Sequence, residues 1–364
     1  MLQKQNKRHF KQKGKSLFVF LLSDILLYKN KIMKKKFDLP LINAHTHAAM
    51  VAFRGKGEDM TLDKWLKDCI WPMEAKMVTP NFVYENTKLA IDEMKKNSIA
   101  AFMDMYFFED EVAKAAIDSD FLAVIGEGLI DIRGQDVFDK DLKKTEYLLN
   151  HYKENKNVIV SVAPHSPYTV SEENLVKAKD VARKYDAIYQ IHISETKKEV
   201  DESLKHYGLT PVEYLHKIGV LDAKTVLVHC VWLTKKDIQI IAEMGCSIVH
   251  CPLSNLKLGS GIAPVADLLD AGINVAIGTD GAASSNRLDV WEAGKFAALL
   301  QKGVNCNPLL LPARTVLEMM TINGMRALGI KNTQGKTISD IKSQIDGGDF
   351  CYLYDLNAEN LKFY

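Results

Sequence analysis

Eight short apolar runs alternate with longer amphipathic segments through most of this chain. The runs cover residues 41–47, 99–105, 121–130, 158–163, 187–193, 225–232, 247–251 and 273–279. Runs of this length and composition are typical of the buried strands of a parallel sheet, and each is followed by enough residues for a crossover helix. Eight strand–helix units in one chain predict a (β/α)8 barrel, also called a TIM barrel.

Helix-start and helix-stop residues separate the runs. Thr79, Ser171 and Thr210 are residue types that begin helices, and Pro80 and Pro211 follow two of them. A helix that begins near Thr234 is expected to end at Gly245. Because no linker, charge block or internal repeat divides this part of the chain, it is predicted to be one domain.

Both ends of the chain are predicted to lie outside the barrel. Residues 1–36 form a basic and apolar arm whose apolar stretch is short and interrupted by Asp24. We expect this arm not to belong to the fold and translation to begin at Met33, with a membrane-surface anchor as the alternative. The catalytic barrel is predicted over residues 37–332, and residues 333–364 form a short C-terminal segment.

Charge and cysteine content limit the partners and the compartment. The chain has 47 Lys and Arg and 46 Asp and Glu, but eleven of the basic residues and one acidic residue lie in the arm. The remainder therefore has 36 basic and 45 acidic residues, which gives no electrostatic reason to bind nucleic acid. No stable membrane association is expected. The six cysteines lack metal or disulfide spacing, which predicts reduced thiols in a cytoplasmic protein.

Histidines and acids end most of the runs, where barrel enzymes carry their chemistry. His45 and His47 are one residue apart, so on a strand both imidazoles face the same side. A His-x-His pair alone is more often satisfied by hydrogen bonds than by a metal. The polar residues near the ends of later runs are His165, His192, Glu195, His229, Asn255 and Asp280.

Together these positions predict a metal-dependent hydrolase. Three imidazoles and one carboxylate form a ligand set suited to one divalent metal, Zn²⁺ first and Fe²⁺ second: His45, His47, His192 and Asp280. Glu195 is expected to reach the same cavity without binding the metal and to protonate a ring nitrogen of the substrate. His229, together with Asp280, is expected to assist deprotonation of the attacking water.

The chain resembles the amidohydrolase superfamily, in particular its cytosine/adenosine-type deaminase branch. The resemblance covers about residues 39–330 and rests on His45-Thr-His47, Ala163-Pro-His-Ser-Pro-Tyr168, His192-Ile-Ser-Glu195, Val228-His-Cys230, Cys251-Pro-Leu-Ser-Asn255 and Gly278-Thr-Asp-Gly-Ala-Ala-Ser284. Through residues 65–74 and 278–286 the chain is most similar to 5′-methylthioadenosine/S-adenosylhomocysteine deaminases.

The resemblance implies conversion of the adenine of a 5′-modified adenosine to hypoxanthine, with release of ammonia. The metal ligands, the proton shuttle Glu195 and the water-contacting His229 keep the roles given above. Glu74 matches the acid that holds the ribose hydroxyls, His165 matches a substrate-contacting histidine, and Arg133 matches an arginine that faces the 5′ substituent. The expected partner is a small purine nucleoside, and a homo-oligomer is possible.

Two features depart from the family pattern. Relatives begin a small β-sandwich before the His-x-His motif and finish it after the barrel, whereas here it is predicted to be reduced or absent, with residues 333–364 as its remnant. No second arginine follows Arg133 before the fourth run ends, only lysines such as Lys143 and Lys144. Because lysine is the poorer bidentate partner of a carboxylate, S-adenosylhomocysteine is less favoured than methylthioadenosine or adenosine.

Other functions remain open from the sequence. Binuclear amidohydrolases place a carboxylated lysine at the end of the fourth strand, where this chain has Val162-Ala-Pro-His165, so one metal is favoured. The alternatives are a hydrolase of chlorinated triazines, a deaminase of aminodeoxyfutalosine, guanine or cytosine, and a barrel that binds a nucleoside without turning it over.

Overall fold

Eight parallel strands form the centre of the structure, a computed structural model that describes residues 39–348. They are β1 Leu41–Thr46, β2 Ile99–Asp104, β3 Leu122–Ile125, β4 Val158–Val160, β5 Tyr189–Ile193, β6 Thr225–His229, β7 Ser247–His250 and β8 Asn274–Ile277. Each strand lies within one of the eight predicted runs, and the predicted barrel is confirmed. The predictions made for the arm and for the start site lie outside the described residues.

The strands pair as two four-stranded parallel sheets, in the orders β1-β2-β3-β4 and β8-β7-β6-β5. The two sheets meet at two seams. At the first seam, Val162, just beyond β4, pairs in parallel with Tyr189 of β5. At the second seam, the Asp280 N–H donates to the His45 carbonyl at 3.0 Å, which joins the end of β8 to β1. The second seam therefore contains two of the predicted metal ligands.

Helices connect the strands. Residues 62–77 form α1, made of Leu62–Lys64, a π-helical stretch Trp65–Ile70 and Trp71–Met77. The other helices are α2 Pro80–Lys96, α3 Glu109–Asp118, α4 Gln135–His151, α5 Glu172–Lys184, α6 Lys197–Tyr207, α7 Pro211–Lys217, α8 Lys235–Met244, α9 Pro252–Lys257, α10 Val265–Asp270, α11 Ala282–Ser285, α12 Val290–Val304, α13 Ala313–Met320, α14 Ile322–Ala327 and α15 Ile338–Asp346. A 3-10 turn covers Ala48–Phe53, and short strands Gly128–Leu129 and Ala163–Pro164 pair with each other, as do Asn332–Thr333 and Lys336–Thr337.

The helix boundaries follow the local chemistry. Thr79, Ser171, Thr210 and Thr234 are the residues that precede α2, α5, α7 and α8, as predicted. Gly245 ends α8 with a φ of 69°, a left-handed conformation that glycine adopts without a steric penalty.

The described part of the C-terminal segment is a short hairpin followed by α15. This helix buries Ile341 and Ile345. The proposed domain boundaries and the reduced sandwich remain predictions. Among residues 39–348 no helix combines the length and the apolar character needed to cross a membrane.

Candidate active site

Three imidazoles and one carboxylate meet at the carboxyl ends of β1, β5 and β8. The Nε2 atoms of His45 and His192 lie 3.1 Å apart. Asp280 Oδ1 lies 3.2 Å from His47 Nε2 and 3.8 Å from His45 Nε2. The structure thus brings the four predicted ligands together, and one nitrogen of each histidine lies within 4.8 Å of those of the other two. We call these four residues the ligand cluster.

Hydrogen bonds on the far side of two rings direct their Nε2 atoms into the cluster. His47 Nδ1 donates to the Met105 carbonyl, and His192 Nδ1 donates to the His165 carbonyl at 2.8 Å. Because a carbonyl oxygen only accepts, each Nδ1 carries a hydrogen, and Nε2 is the atom that each ring can offer to a metal; at His47 a metal would displace the proton that Nε2 shares with Asp280. This is the tautomer that a metal site requires.

The protonation states of the cluster also suit a cation. Burial lowers the pKa of His45 and of His192 well below the ordinary value. Burial raises the pKa of Asp280. The hydrogen bond to His47 and the neighbouring imidazoles together lower it by more, so the net pKa lies well below the usual range. Burial lowers the pKa of His47, while Asp280 raises it to about 9. The cluster therefore favours positive charge between His47 and Asp280, and its residues fit a divalent metal.

Two residues in α9 hold other side chains of the site in place. Ser254 Oγ donates to Asp280 Oδ2 at 2.6 Å. His229 Nδ1 donates to Asn255 Oδ1 at 2.9 Å, which leaves the Nε2 of His229 facing the cavity. Sequence reasoning noted the place of Asn255 but missed Ser254. Ser254 lies in a six-residue helix, and no sequence pattern distinguishes it from an ordinary helical serine.

Glu195 lies beside the cluster and is not part of it. Its side chain is buried, with Oε2 at 3.7 Å from His229 Nε2 and Oε1 accepting from Ser260 Oγ at 3.4 Å. Burial raises the pKa of the Glu195 carboxyl, and His229 offsets this only in part. A raised pKa brings a carboxyl closer to neutral pH, where it can accept and return a proton within one reaction cycle.

A cavity with an empty volume of about 700 Å³ opens over the cluster. Seven of the predicted site residues line it: His47, Glu74, His165, His192, Glu195, His229 and Asp280. Trp65 and Trp71 of α1 form part of the wall. His45 is fully buried and reaches the cluster from below the cavity.

Glu74 is a third acid in the lining of this cavity, besides Glu195 and Asp280. Its Oε1 accepts a hydrogen bond from the Tyr106 hydroxyl at 2.9 Å. Burial raises the pKa of Glu74, and the Tyr106 hydrogen bond lowers it less. Sequence reasoning missed Tyr106, because a tyrosine just beyond a strand is common in any barrel. His165, also predicted, has its Nδ1 2.9 Å from Thr169 Oγ1.

Arg133 does not line this cavity. Its guanidinium lies 5.1 Å above the Phe107 ring and borders an adjoining open cleft. Trp71, Glu74 and Phe107 line both cavities. A molecule held at Glu74 therefore has a second space beside it, with Arg133 in its wall.

With this geometry established, the whole sequence can be compared with known proteins. The amidohydrolase family matches residues 40–336, which is most of the chain. The chain belongs to the amidohydrolase family. This amidohydrolase is a hydrolase of C–N bonds, as the sequence predicted, and its relatives carry deaminase names.

Two relatives and one solved structure illustrate the similarity. The 5-methylthioadenosine/S-adenosylhomocysteine deaminase of Thermodesulfovibrio yellowstonii is 44% identical over 299 residues, which are 81% of this amidohydrolase and 67% of the relative. The 5'-deoxyadenosine deaminase of Methanothermobacter thermautotrophicus is 44% identical over 292 residues, 80% of this chain and 68% of the relative. An adenosine deaminase from Xanthomonas campestris, solved with bound zinc, has a TM-score of 0.82 and 34% identity and covers 89% of this chain and 77% of its own. The amidohydrolase thus spans about two thirds of the length of the first two relatives.

Proposed function

We propose that this amidohydrolase removes the amino group from the adenine ring of a 5′-modified adenosine. The observation that carries the proposal is one cavity lined by three residues of the ligand cluster, by the buried carboxyl of Glu195 and by Glu74. The names of the relatives support an adenosine derivative as the substrate class.

The ligand cluster is proposed to hold one divalent metal, with zinc favoured over iron. When bound, the metal lowers the pKa of water towards neutrality and so provides a nucleophile at neutral pH. The converging Nε2 atoms and the zinc in the adenosine deaminase from Xanthomonas campestris support this assignment.

Glu195 is proposed to carry the proton of the reaction. It takes a proton that leaves the attacking water and delivers it to N1 of the adenine while the water oxygen bonds to C6. The remaining proton of the added hydroxyl group is then transferred to the amino group, the C6–N bond breaks as the C6 carbonyl forms, and ammonia leaves a hypoxanthine ring. His229, held by Asn255, is proposed to orient the water and to assist its deprotonation with Asp280.

Glu74 is proposed to bind the sugar. Two vicinal ribose hydroxyls match the two oxygens of one carboxylate, and the Tyr106 hydroxyl fixes the orientation of that carboxylate. His165 is proposed to contact the bound nucleoside. The adjoining cavity with Arg133 is proposed to receive the 5′ substituent.

The test is ammonia release by the metal-loaded protein with a panel of substrates. The panel contains adenosine, methylthioadenosine, 5′-deoxyadenosine, S-adenosylhomocysteine, aminodeoxyfutalosine, adenine, guanine, cytosine and a chlorinated triazine. We expect turnover of 5′-modified adenosines with kcat/KM well above that of free adenine. Release of ammonia from guanine or cytosine alone, or from none of the panel, would contradict the proposal.

A further inference from the structure

Four helices in the described part of the chain begin with a threonine followed three residues later by an acid. In three of them the acid accepts the backbone N–H of that threonine and closes a capping box. These pairs are Thr210 with Glu213, Thr234 with Asp237 and Thr337 with Asp340. The fourth pair, Thr196 and Glu199 at the start of α6, has the same spacing. Thr196 Oγ1 accepts the Glu199 N–H at 3.2 Å, but the two close hydrogen bonds of the Glu199 carboxylate go elsewhere, and its interaction with the Thr196 N–H falls short of a capping box.

The Glu199 carboxylate binds the end of β5 instead. Its Oε1 accepts the Ser194 N–H at 2.7 Å, and its Oε2 accepts the Glu195 N–H at 2.8 Å. Both oxygens thus hold the backbone that carries the Glu195 side chain into the cavity. The two bonds reach separate oxygens of one side chain, so together they fix the direction in which the backbone at Ser194 and Glu195 is held.

The backbone at this point needs such support. Ser194 has a φ of 51°, a left-handed conformation that residues with a β-carbon rarely adopt. Ser194 is fully buried and Glu195 is 4% exposed, so the protein must satisfy both N–H groups. Glu199 is the acceptor for both. From the other side, the Ser194 carbonyl accepts the N–H groups of Val231 at 3.0 Å and Trp232 at 2.9 Å.

We propose that Glu199 is a positioning residue, which acts through the backbone of Glu195 to aim the Glu195 carboxyl at the substrate. Glu199 does not line the cavity over the ligand cluster, so it has no contact with the reacting atoms. The inference rests on the proposed role of Glu195 as the proton carrier. It explains why one of the four threonine–acid pairs does not close a capping box.

Glu199→Gln in the full-length, metal-loaded protein tests the inference. A glutamine offers one acceptor oxygen and places an amide N–H against a backbone N–H, so at least one of the two bonds is lost. We expect kcat to fall by about 10- to 100-fold, because small errors in the position of a catalytic group have effects of that size. KM and metal content should stay at the wild-type values. Glu202→Gln, which removes the same charge from the exposed face of the same helix, is the matched control and should leave kcat unchanged.

A second comparison separates positioning from general damage. In a Glu195→Gln background, Glu199→Gln should have no further effect on the residual rate, because the group that it positions is already disabled. Equal losses in both backgrounds would overturn the inference. If Glu199→Gln yields no folded protein, Glu199→Asp keeps the charge and shortens the reach by one methylene. Wild-type kcat in that variant would also overturn the inference.

Hydrogen exchange measured by mass spectrometry gives a readout that needs no catalysis. The amides of Ser194 and Glu195 should exchange at least about tenfold faster in Glu199→Gln than in the wild type or in Glu202→Gln. Unchanged exchange would overturn the inference even if the rate fell. If the wild-type protein releases no ammonia from any substrate, the proposed function fails, and the exchange result alone decides whether Glu199 restrains this turn.

Discussion

At the scale of the residue, left-handed backbone conformations occur at the same strand ends as the predicted site side chains. Ser194, His229 and Asp280 have φ values of 51°, 76° and 61°, and all three lie at or just beyond strand ends of the site. A residue with a β-carbon pays about 1–3 kcal/mol for such a conformation, and the surrounding hydrogen bonds must hold it. The strain therefore lies beside the ligand cluster and Glu195, where precise direction matters most.

The first prediction concerns the acid that carries the proton. Glu195→Gln should lower ammonia release by about 100- to 10,000-fold, because the amide cannot exchange a proton with the ring. Metal content, measured by mass spectrometry of the metal, should stay at one ion per chain, since Glu195 is not among the proposed ligands. A variant with nearly normal turnover would remove Glu195 from the mechanism.

The second prediction concerns the acid proposed to bind the ribose. Glu74→Ala should lower kcat/KM for adenosine by about 10- to 100-fold, the range expected when hydrogen bonds to a charged group are lost. The same change should have little effect on 2′,3′-dideoxyadenosine, which lacks both hydroxyls. Tyr106→Phe, which removes only the hydroxyl that orients Glu74, should act in the same direction and more weakly. Equal losses on both nucleosides would exclude a ribose contact.

The metal ligands predicted from the sequence lie at strand ends, whereas the residues that were missed act through contacts with other side chains. His45, His47 and Asp280 lie at strand ends, so the two-residue period of a strand and the barrel rule predict where they point. Ser254 and Tyr106 act on other side chains through contacts that exist only in the folded chain. No local pattern predicts such contacts, and the roles assigned to all site residues stay predictions until variants are measured.

At the scale of the element, strands were easier to locate than their ends. The run 121–130 is predicted as one strand, but β3 ends at Ile125, and the chain pairs again through a single bridge between Glu127 and Tyr106 and the short strand Gly128–Leu129. At Gly126 an added Cβ would lie 2.7 Å from Ser161 and Ala163 side-chain atoms, so the strand is interrupted where its neighbour approaches closely. Such an interruption depends on the neighbouring strand and is not visible in the periodicity of the run.

The third prediction tests the packing of α14 on β1. A Cβ on Gly324 would lie 2.6 Å from Ile42 Cβ, on the strand that carries His45 and His47. Gly324→Ala should lower the free energy of unfolding by about 1–3 kcal/mol, the usual effect of overpacking. The measurement is denaturant unfolding followed by circular dichroism.

Gly303 in α12 is the matched control for this change. It has no heavy atom within 4 Å of a built Cβ and no left-handed φ, so Gly303→Ala should be neutral or stabilise by up to about 1 kcal/mol. An equal loss of stability in both variants would show that the α14 contact is not the cause.

At the scale of the whole molecule, the ligand cluster joins the two halves of the barrel. His45 lies in β1 and His47 directly follows it, whereas His192 lies in β5 and Asp280 follows β8, the two edge strands of the other sheet. A bound metal therefore links the sheets across their seam, beside the hydrogen bond between Asp280 and His45. The barrel could be predicted from the eight apolar runs. No sequence pattern established the structure of the two chain ends, and the expectations for them stay predictions.

The fourth prediction follows from that link. Removal of the metal with a chelator should abolish ammonia release and lower the Tm, and added zinc should restore both. A ligand that binds only the folded state stabilises by about 2.7 kcal/mol at a free concentration one hundred times its Kd. The measurement is thermal unfolding at several zinc concentrations, with Asp280→Ala as the control that should not respond. A Tm independent of zinc in the wild type would contradict a metal shared by the two sheets.

The position of the predicted ligands on both sides of the seam also affects when during synthesis and folding a metal could bind. Synthesis proceeds from the N-terminus, so His45 and His47 leave the ribosome long before Asp280. A nascent chain therefore has only a His-x-His pair until His192 is made, and the full predicted ligand set exists only after the last barrel strand has been made. If these four residues are the ligands, we expect metal loading to be a late step of biogenesis, and tightly held metal would report that the ring of strands has closed.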